Sequence, residues 1–201
     1  MMQKVEPQTG KKPADKPWFD PAAPFMRQSS HNNDVAIIGG GIAGASCCHA
    51  LNQRGIKTTL FEQQDTLASG ASGNPIGMLE PYITADNSLS GQFYEAGYQH
   101  SRNLVRQLLA EGENVEAAFC GVLSLPTNPR DATRQQAILD RLSHAPKADT
   151  PTSVQHLDPK AASDVLGLSV SVGGLFYTDA GWVNPPSLCR ILAKQARMKQ
   201  G

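Results

Sequence analysis

DVAIIGGGIAGASCCHALNQRGIKTTLFEQQD, residues 34–65, is the stretch that decides how this chain folds. Asp34 to Ile38 predicts a short buried strand. Gly39, Gly40, Gly41 and Gly44 follow at once, although glycine weakens strands and helices alike. Ile42 to Arg54 predicts a helix stopped by Gly55. Lys57 to Phe61, KTTLF, is β-branched and apolar and predicts a second strand. A helical crossover makes the two strands parallel and the connection right-handed.

The glycines therefore occupy a strand-to-helix turn, as G-x-G-x-x-G. Gly39 permits the tight turn, Gly41 lets a diphosphate approach bare main chain, and Gly44 lets helix and strand pack closely. The helix N-terminus adds unpaired N–H groups and partial positive charge. Glu62 ends the second strand, where a carboxylate accepts hydrogen bonds from ribose hydroxyls and repels a 2′-phosphate. These features predict dinucleotide binding and disfavour NADP.

Composition sets outer bounds. The chain has 201 residues, enough for one ordinary domain, and its 18 basic residues balance 18 acidic ones. Zero net charge gives no support to a nucleic-acid partner, although a local patch would suffice. Cys47, Cys48, Cys120 and Cys189 form neither a disulfide framework nor a zinc motif. Reduced thiols imply a cytoplasmic protein. The five histidines are scattered, so no metal site is expected. The polar N-terminus is no signal peptide. The apolar run from Val35 to Leu51 is too short and glycine-broken to span a membrane.

Residues 1–33 carry five prolines and little periodicity, which predicts a disordered linker or tail. Gly70 to Pro81 reads as a glycine- and proline-punctuated loop. Ser88 to about Glu111 predicts a long amphipathic helix with Leu89, Phe93, Ala96, His100, Leu104 and Leu108 on one stripe. Gly121 to Leu125 predicts a strand. Pro129 to Leu142 predicts a helix with Ile138, Leu139 and Leu142 on its apolar side. Pro159 to Leu166 predicts a short helix, and Leu175 to Val183 a strand. Pro185 to Met198 predicts a closing helix with proline where its missing N–H costs little.

The run from Asp34 to Asp65 resembles the N-terminal FAD-binding segment of two-domain flavoproteins. Gly70 to Pro81, GASGNPIGMLEP, resembles the flavin-contacting loop of the D-amino-acid oxidase/glycine oxidase superfamily. Within it, GASGNPIG followed by a proline is most similar to the oxidoreductase module of bifunctional proteins that make 5-methylaminomethyl-2-thiouridine in tRNA. CGVLSL at Cys120 to Leu125 and GLFYTDAGWVNPPSLCRIL at Gly174 to Leu192 share that likeness, as does KPWF in the tail.

The resemblance implies an α/β fold: a Rossmann-like FAD-binding βαβ unit of the D-amino-acid oxidase type with the start of an α+β substrate domain, incomplete. It divides residues 34–201 into a βαβ unit and flavin loop at 34–85 and a helical segment with partial substrate domain at 86–201. It implies FAD as cofactor. Gly39, Gly40, Gly41, Ile42, Ala43 and Gly44 would hold the diphosphate. Glu62 and Gln63 would hold the adenosine ribose end. Ala71, Ser72, Gly73 and Asn74 would line the cofactor, with Gly77 and Met78 near the isoalloxazine. Such modules oxidise a carboxymethylaminomethyl group on the tRNA wobble uridine, releasing glyoxylate. The expected partners are tRNA, with a methyltransferase domain or the missing C-terminal half of the oxidase. Alternatives are oxidation of a free amino acid such as glycine, or a non-catalytic FAD-binding remnant.

Two parallel strands under one helix leave a sheet face and edges uncovered. This implies a fragment, a truncated product or half of a split enzyme. No residue is identifiable as catalytic; in flavin chemistry the cofactor carries the reaction and the protein positions the substrate. Cys47, Cys48 and Cys120 read as small buried hydrophobes, and His100 as structural. Tyr82, Tyr94, Tyr98 and Tyr177 read as packing aromatics. Arg190, Lys194, Arg197 and Lys199 read as a solvated helix end complementing its dipole, ahead of a contact with tRNA phosphates.

Overall fold

Strand β1 (Val35–Ile38) runs parallel to β2 (Thr58–Phe61), with Val35 opposite Thr58 and Ile38 opposite Phe61. Between them lies helix α1 (Ile42–Asn52), which gives the expected βαβ unit. The side chains alternate as a pleat requires. Val35, Ile37, Thr58 and Leu60 are sheltered on one face. Ala36, Ile38, Thr59 and Phe61 are exposed on the other, with Ile38 90% exposed. The uncovered face expected from the sequence is therefore present. Helix α1 ends two residues before Arg54. Its last residue, Asn52, is buried and donates to the Cys48 carbonyl at 2.8 Å and to the Thr58 hydroxyl, tying the helix end to β2.

The computed structural model describes residues 34–144 and 154–198, all within one unit spanning Asp34–Gly201. The expectations for residues 1–33, for Lys199 and for the Arg197 side chain lie outside what is described. The remaining elements are β3 (Gly77–Leu79), α2 (Leu89–Ala110), β4 (Ala117–Ala118), β5 (Val122–Ser124), α3 (Pro129–His144), β6 (Val154–Leu157), α4 (Pro159–Leu166), β7 (Gly174–Tyr177), β8 (Gly181–Val183) and α5 (Pro185–Met198). They form two antiparallel three-stranded sheets, ordered β3-β8-β4 and β5-β7-β6.

Two expectations are corrected by pairing. Gly70–Pro81 is not all loop: Gly77, Met78 and Leu79 pair with Val183, Trp182 and Gly181. Leu175–Val183 is two strands in different sheets, joined by a turn in which Ala180 N–H donates to the Tyr177 carbonyl. Cross-strand partners distant in sequence supply what local pattern lacks.

Ser88 caps α2, its hydroxyl accepting from Gly91 N–H at 3.3 Å. The buried stripe of α2 matches the expected one only at its C-terminal end. Leu89 and Phe93 are 84% and 74% exposed, and His100 is exposed rather than structural. Leu108 is buried as expected and Leu104 packs against the same core, whereas the other buried residues, Gly91, Tyr98 and Val105, lie off the expected stripe. One core gathers Ala45 of α1, Val105 and Leu108 of α2, and Leu188, Cys189 and Leu192 of α5. A second gathers Ile138 with Leu175, Tyr177 and Ala180, supported by Leu139 and Leu142. The expected apolar side of α3 is thus the buried one.

Among the cysteines, Cys48 and Cys189 are buried, whereas Cys47 and Cys120 are exposed, contrary to expectation. Tyr98 and Tyr177 are buried, while Tyr82 and Tyr94 are about half exposed and meet edge to face. The basic face of α5 is exposed, as expected, and also meets carboxylates. Lys194 pairs with Glu113 at 3.0 Å and Arg190 with Glu116 at 4.0 Å.

Candidate functional site

The turn between β1 and α1 is tied down from three directions. Gly39 N–H donates to the Phe61 carbonyl at 2.7 Å, Gly40 N–H to Glu62 Oε2 at 2.6 Å, and Ala68 N–H to the Gly40 carbonyl at 3.1 Å. Gly39 sits at φ +100°, a conformation only glycine adopts freely. At Gly44 an added Cβ would overlap the Gly39 carbonyl oxygen, so the third glycine is what lets the helix start this close to the strand.

Helix α1 has Gly41 as its N-cap, which supplies no side-chain cap, and no acidic residue in its first turn. Its first intrahelical bond is Ala45 N–H to Gly41 carbonyl at 2.9 Å. The N–H groups of Ile42, Ala43 and Gly44 therefore precede the helical ladder. Ser72 reaches back to this end, its hydroxyl accepting from Ile42 N–H at 3.0 Å. A Cβ on Gly41 would project to 3.0 Å from the same hydroxyl. Helix end, bare glycine and Ser72 thus frame a cradle that a side chain at Gly41 would fill, as a diphosphate site requires.

The structure brings Gly39, Gly40, Gly41, Ile42, Glu62 and Ser72 together. Glu62 also accepts from Gln64 N–H at 3.0 Å. The N–H groups of Gln64 and Gly40 hold its carboxyl below the ordinary value. Beside it lies a cavity of about 420 Å³ between β2 and α5, walled by Thr58, Leu60, Leu67 and Ala193. Gln63 is exposed.

Ala71, Ser72 and Gly73 form one 3-10 turn, and Asn74 folds back on it, its amide reaching the Ala71 carbonyl at 3.4 Å. Gly77 and Met78 lie apart from the turn, in β3. Gly77 packs where a Cβ would come 3.1 Å from the Pro185 ring, and Met78 is exposed opposite Trp182. Sequence reasoning missed Leu67, Ala68 and Trp182. Ala68 closes the loop under Gly40 at φ +60°, a role no local motif announces.

Among the described residues no group of three or more His, Cys, Asp or Glu side chains gathers to hold a metal. No described helix is long and apolar enough to cross a membrane.

Comparison with known proteins agrees with this geometry. The model of the family described as FAD dependent oxidoreductase matches residues 34–201. The chain is 35% identical over 188 residues to the tRNA 5-methylaminomethyl-2-thiouridine biosynthesis bifunctional protein of Pseudomonas savastanoi pv. phaseolicola, covering 93% of this chain and 26% of that protein. It is 37% identical over 181 residues to the protein of the same name from Magnetococcus marinus, covering 90% and 26%. Among solved structures, glycine oxidase from Bacillus cereus superposes with a TM-score of 0.64 at 28% identity, covering 83% of this chain and 44% of that one. The chain spans about a quarter of the curated relatives it matches. It belongs to the FAD-dependent oxidoreductase family, whose cofactor is FAD.

Proposed function

We propose that this chain is the N-terminal part of an FAD-dependent oxidoreductase in tRNA modification. Its reaction removes the carboxymethyl group of 5-carboxymethylaminomethyl-2-thiouridine at the wobble position. The observation that carries this reading is the likeness, over nine-tenths of the chain, to proteins named for that pathway.

FAD would supply the hydride acceptor for the carbon beside the substrate's secondary amine. Water then adds to the carbon–nitrogen double bond of the oxidised substrate, glyoxylate leaves and an aminomethyl group remains on the uridine. The chain's own contribution is placement. The main chain from Gly39 to Gly44 would face the diphosphate, assisted by the Ala43 and Gly44 N–H groups, with Ile42 N–H held by Ser72. Glu62 and Gln63 would receive the adenosine end, beside the cavity along β2. Ala71, Ser72, Gly73 and Asn74 would line the cofactor, and Gly77 and Met78 would approach the isoalloxazine. The uncovered face of β1 and β2 would receive the remaining half of the oxidase. A methyltransferase would act on the amine product. A tRNA substrate would put the protein in the cytoplasm.

Mass spectrometry of wobble nucleosides from a deletion strain tests this. Accumulated carboxymethylaminomethyl-uridine is expected, and an unchanged nucleoside profile refutes the reading. The likeness to glycine oxidase favours a second reading, oxidation of a free amino acid. Peroxide released from glycine by the purified flavoprotein would select it.

A further inference from the structure

A groove of about 510 Å³ runs between α1 and α2. Its polar walls are Ser46, His49, Gln53 and Arg54 from α1 and the turn after it, with His100, Ser101, Asn103 and Gln107 from α2. No carboxylate lines it, unlike the cavity along β2, which includes Glu62 and Asp65. Glu111, which caps the end of α2, accepts from Gln107 at 2.7 Å and Gln195 at 3.3 Å.

Several cations on this unit meet acids. Arg102 and Arg106 reach Asp179, Lys194 reaches Glu113, and Arg190 reaches Glu116. Arg54 is the groove's arginine and, like Arg130, Arg134 and Arg141, makes no ion pair among the described residues; it donates to its own helix, at the Ala50 carbonyl, 2.8 Å away. Donors without a carboxylate suit an anionic oxygen ligand. The groove begins at Ile42, on the flank of the cofactor cradle, and follows α1 to Arg54. Ligand bound there lies along a path leading to the site rather than within it.

Resting on the tRNA reading above, we infer that this groove holds backbone phosphate of the tRNA substrate. Arg54 is the charged donor, and His100 and Asn103 hydrogen-bond from the opposite wall. Zero net charge is compatible with such binding, because phosphate contact depends on local cations.

The test is anisotropy of a labelled, unmodified tRNA transcript with the full chain, titrated at several salt concentrations. Arg54→Gln is expected to weaken binding about three- to tenfold and to reduce the salt slope by about one unit. Asn103→Lys, adding a cation to the same groove, tightens binding and steepens the slope. Both positions are exposed, so melting temperature and flavin content serve as folding controls. Binding by the wild type that ignores both substitutions overturns the groove alone. A wild-type chain that binds no tRNA overturns the groove and the tRNA reading together.

Discussion

Glu62 and Gly40 are joined directly, the carboxylate Oε2 accepting the glycine N–H at 2.6 Å. The acidic end of β2 thereby grips the glycine turn that follows β1. One residue serves two purposes here: it fixes the turn and presents a carboxylate to the cavity beside it. Glu62→Ala loses both. FAD affinity is expected to fall about ten- to a hundredfold, the range for losing a charge-assisted hydrogen bond. Flavin fluorescence quenching measures it, and an unchanged affinity removes Glu62 from the site.

The same carboxylate makes stability depend on pH. The Gln64 and Gly40 N–H groups favour its ionised form, so its folded pKa lies below the ordinary 4.5. A carboxyl depressed on folding contributes stability that is complete above the unfolded pKa and disappears as pH falls through the folded value. The melting-temperature gap between wild type and Glu62→Gln should therefore narrow from about pH 6 to about pH 3. A gap constant across that range contradicts the geometry.

Gly44 and Gly39 should separate strain from collision. Gly39 has φ +100° but open space around an added Cβ, whereas a Cβ at Gly44 runs into the Gly39 carbonyl. Gly39→Ala costs about 1–2 kcal/mol of conformational strain. Gly44→Ala forces helix and turn apart, costing about 1–3 kcal/mol and moving the first N–H groups of α1. Urea unfolding gives the stabilities, and flavin titration shows a larger loss for Gly44→Ala.

The βαβ unit was readable from sequence because its signals are local. Glycine spacing, a strand on each side and Glu62 all fall within residues 34–65. Ser72 was readable only through family likeness, since its bond to Ile42 joins residues far apart in the chain. Strands β3, β4 and β6 escaped because each is short and exists through its pairing partner. The α2 stripe misled for another reason. Apolar residues at helical spacing mark a face, but the neighbours decide how much of it is covered.

That distinction is measurable on α2 and α3. Leu89 is 84% exposed and Ile138 is 1% exposed. Leu89→Ser should change unfolding free energy by less than about 0.5 kcal/mol. Ile138→Ala opens a cavity in the second core and should cost about 2–5 kcal/mol. Denaturant midpoints at constant slope compare them, and equal effects would restore the stripe expected from sequence.

Asp179 is the last element that sequence spacing could not reveal, because it acts on α2 from the turn between β7 and β8. Its two oxygens accept from Arg102 at 3.3 Å and Arg106 at 3.0 Å, and its main-chain carbonyl accepts from the Tyr98 hydroxyl at 3.0 Å. The two arginines are unequal. The Arg102 side chain is 14% exposed and that of Arg106 46%. Asp179→Ala removes the carboxylate beside Arg102 in a partly dry setting, while the contacts of Arg102 with Asn103 and the Tyr98 ring, and the Tyr98 bond to main chain, survive. The expected cost is about 1–3 kcal/mol, above the 0–1 kcal/mol of an exposed pair. In double-mutant cycles the coupling of Asp179 to Arg102 should exceed that to Arg106. Added salt should erode the Arg106 coupling first, because exposed charges are screened more strongly. Equal couplings with equal salt sensitivity would mean that burial of Arg102 contributes nothing to holding α2 against the β7–β8 turn.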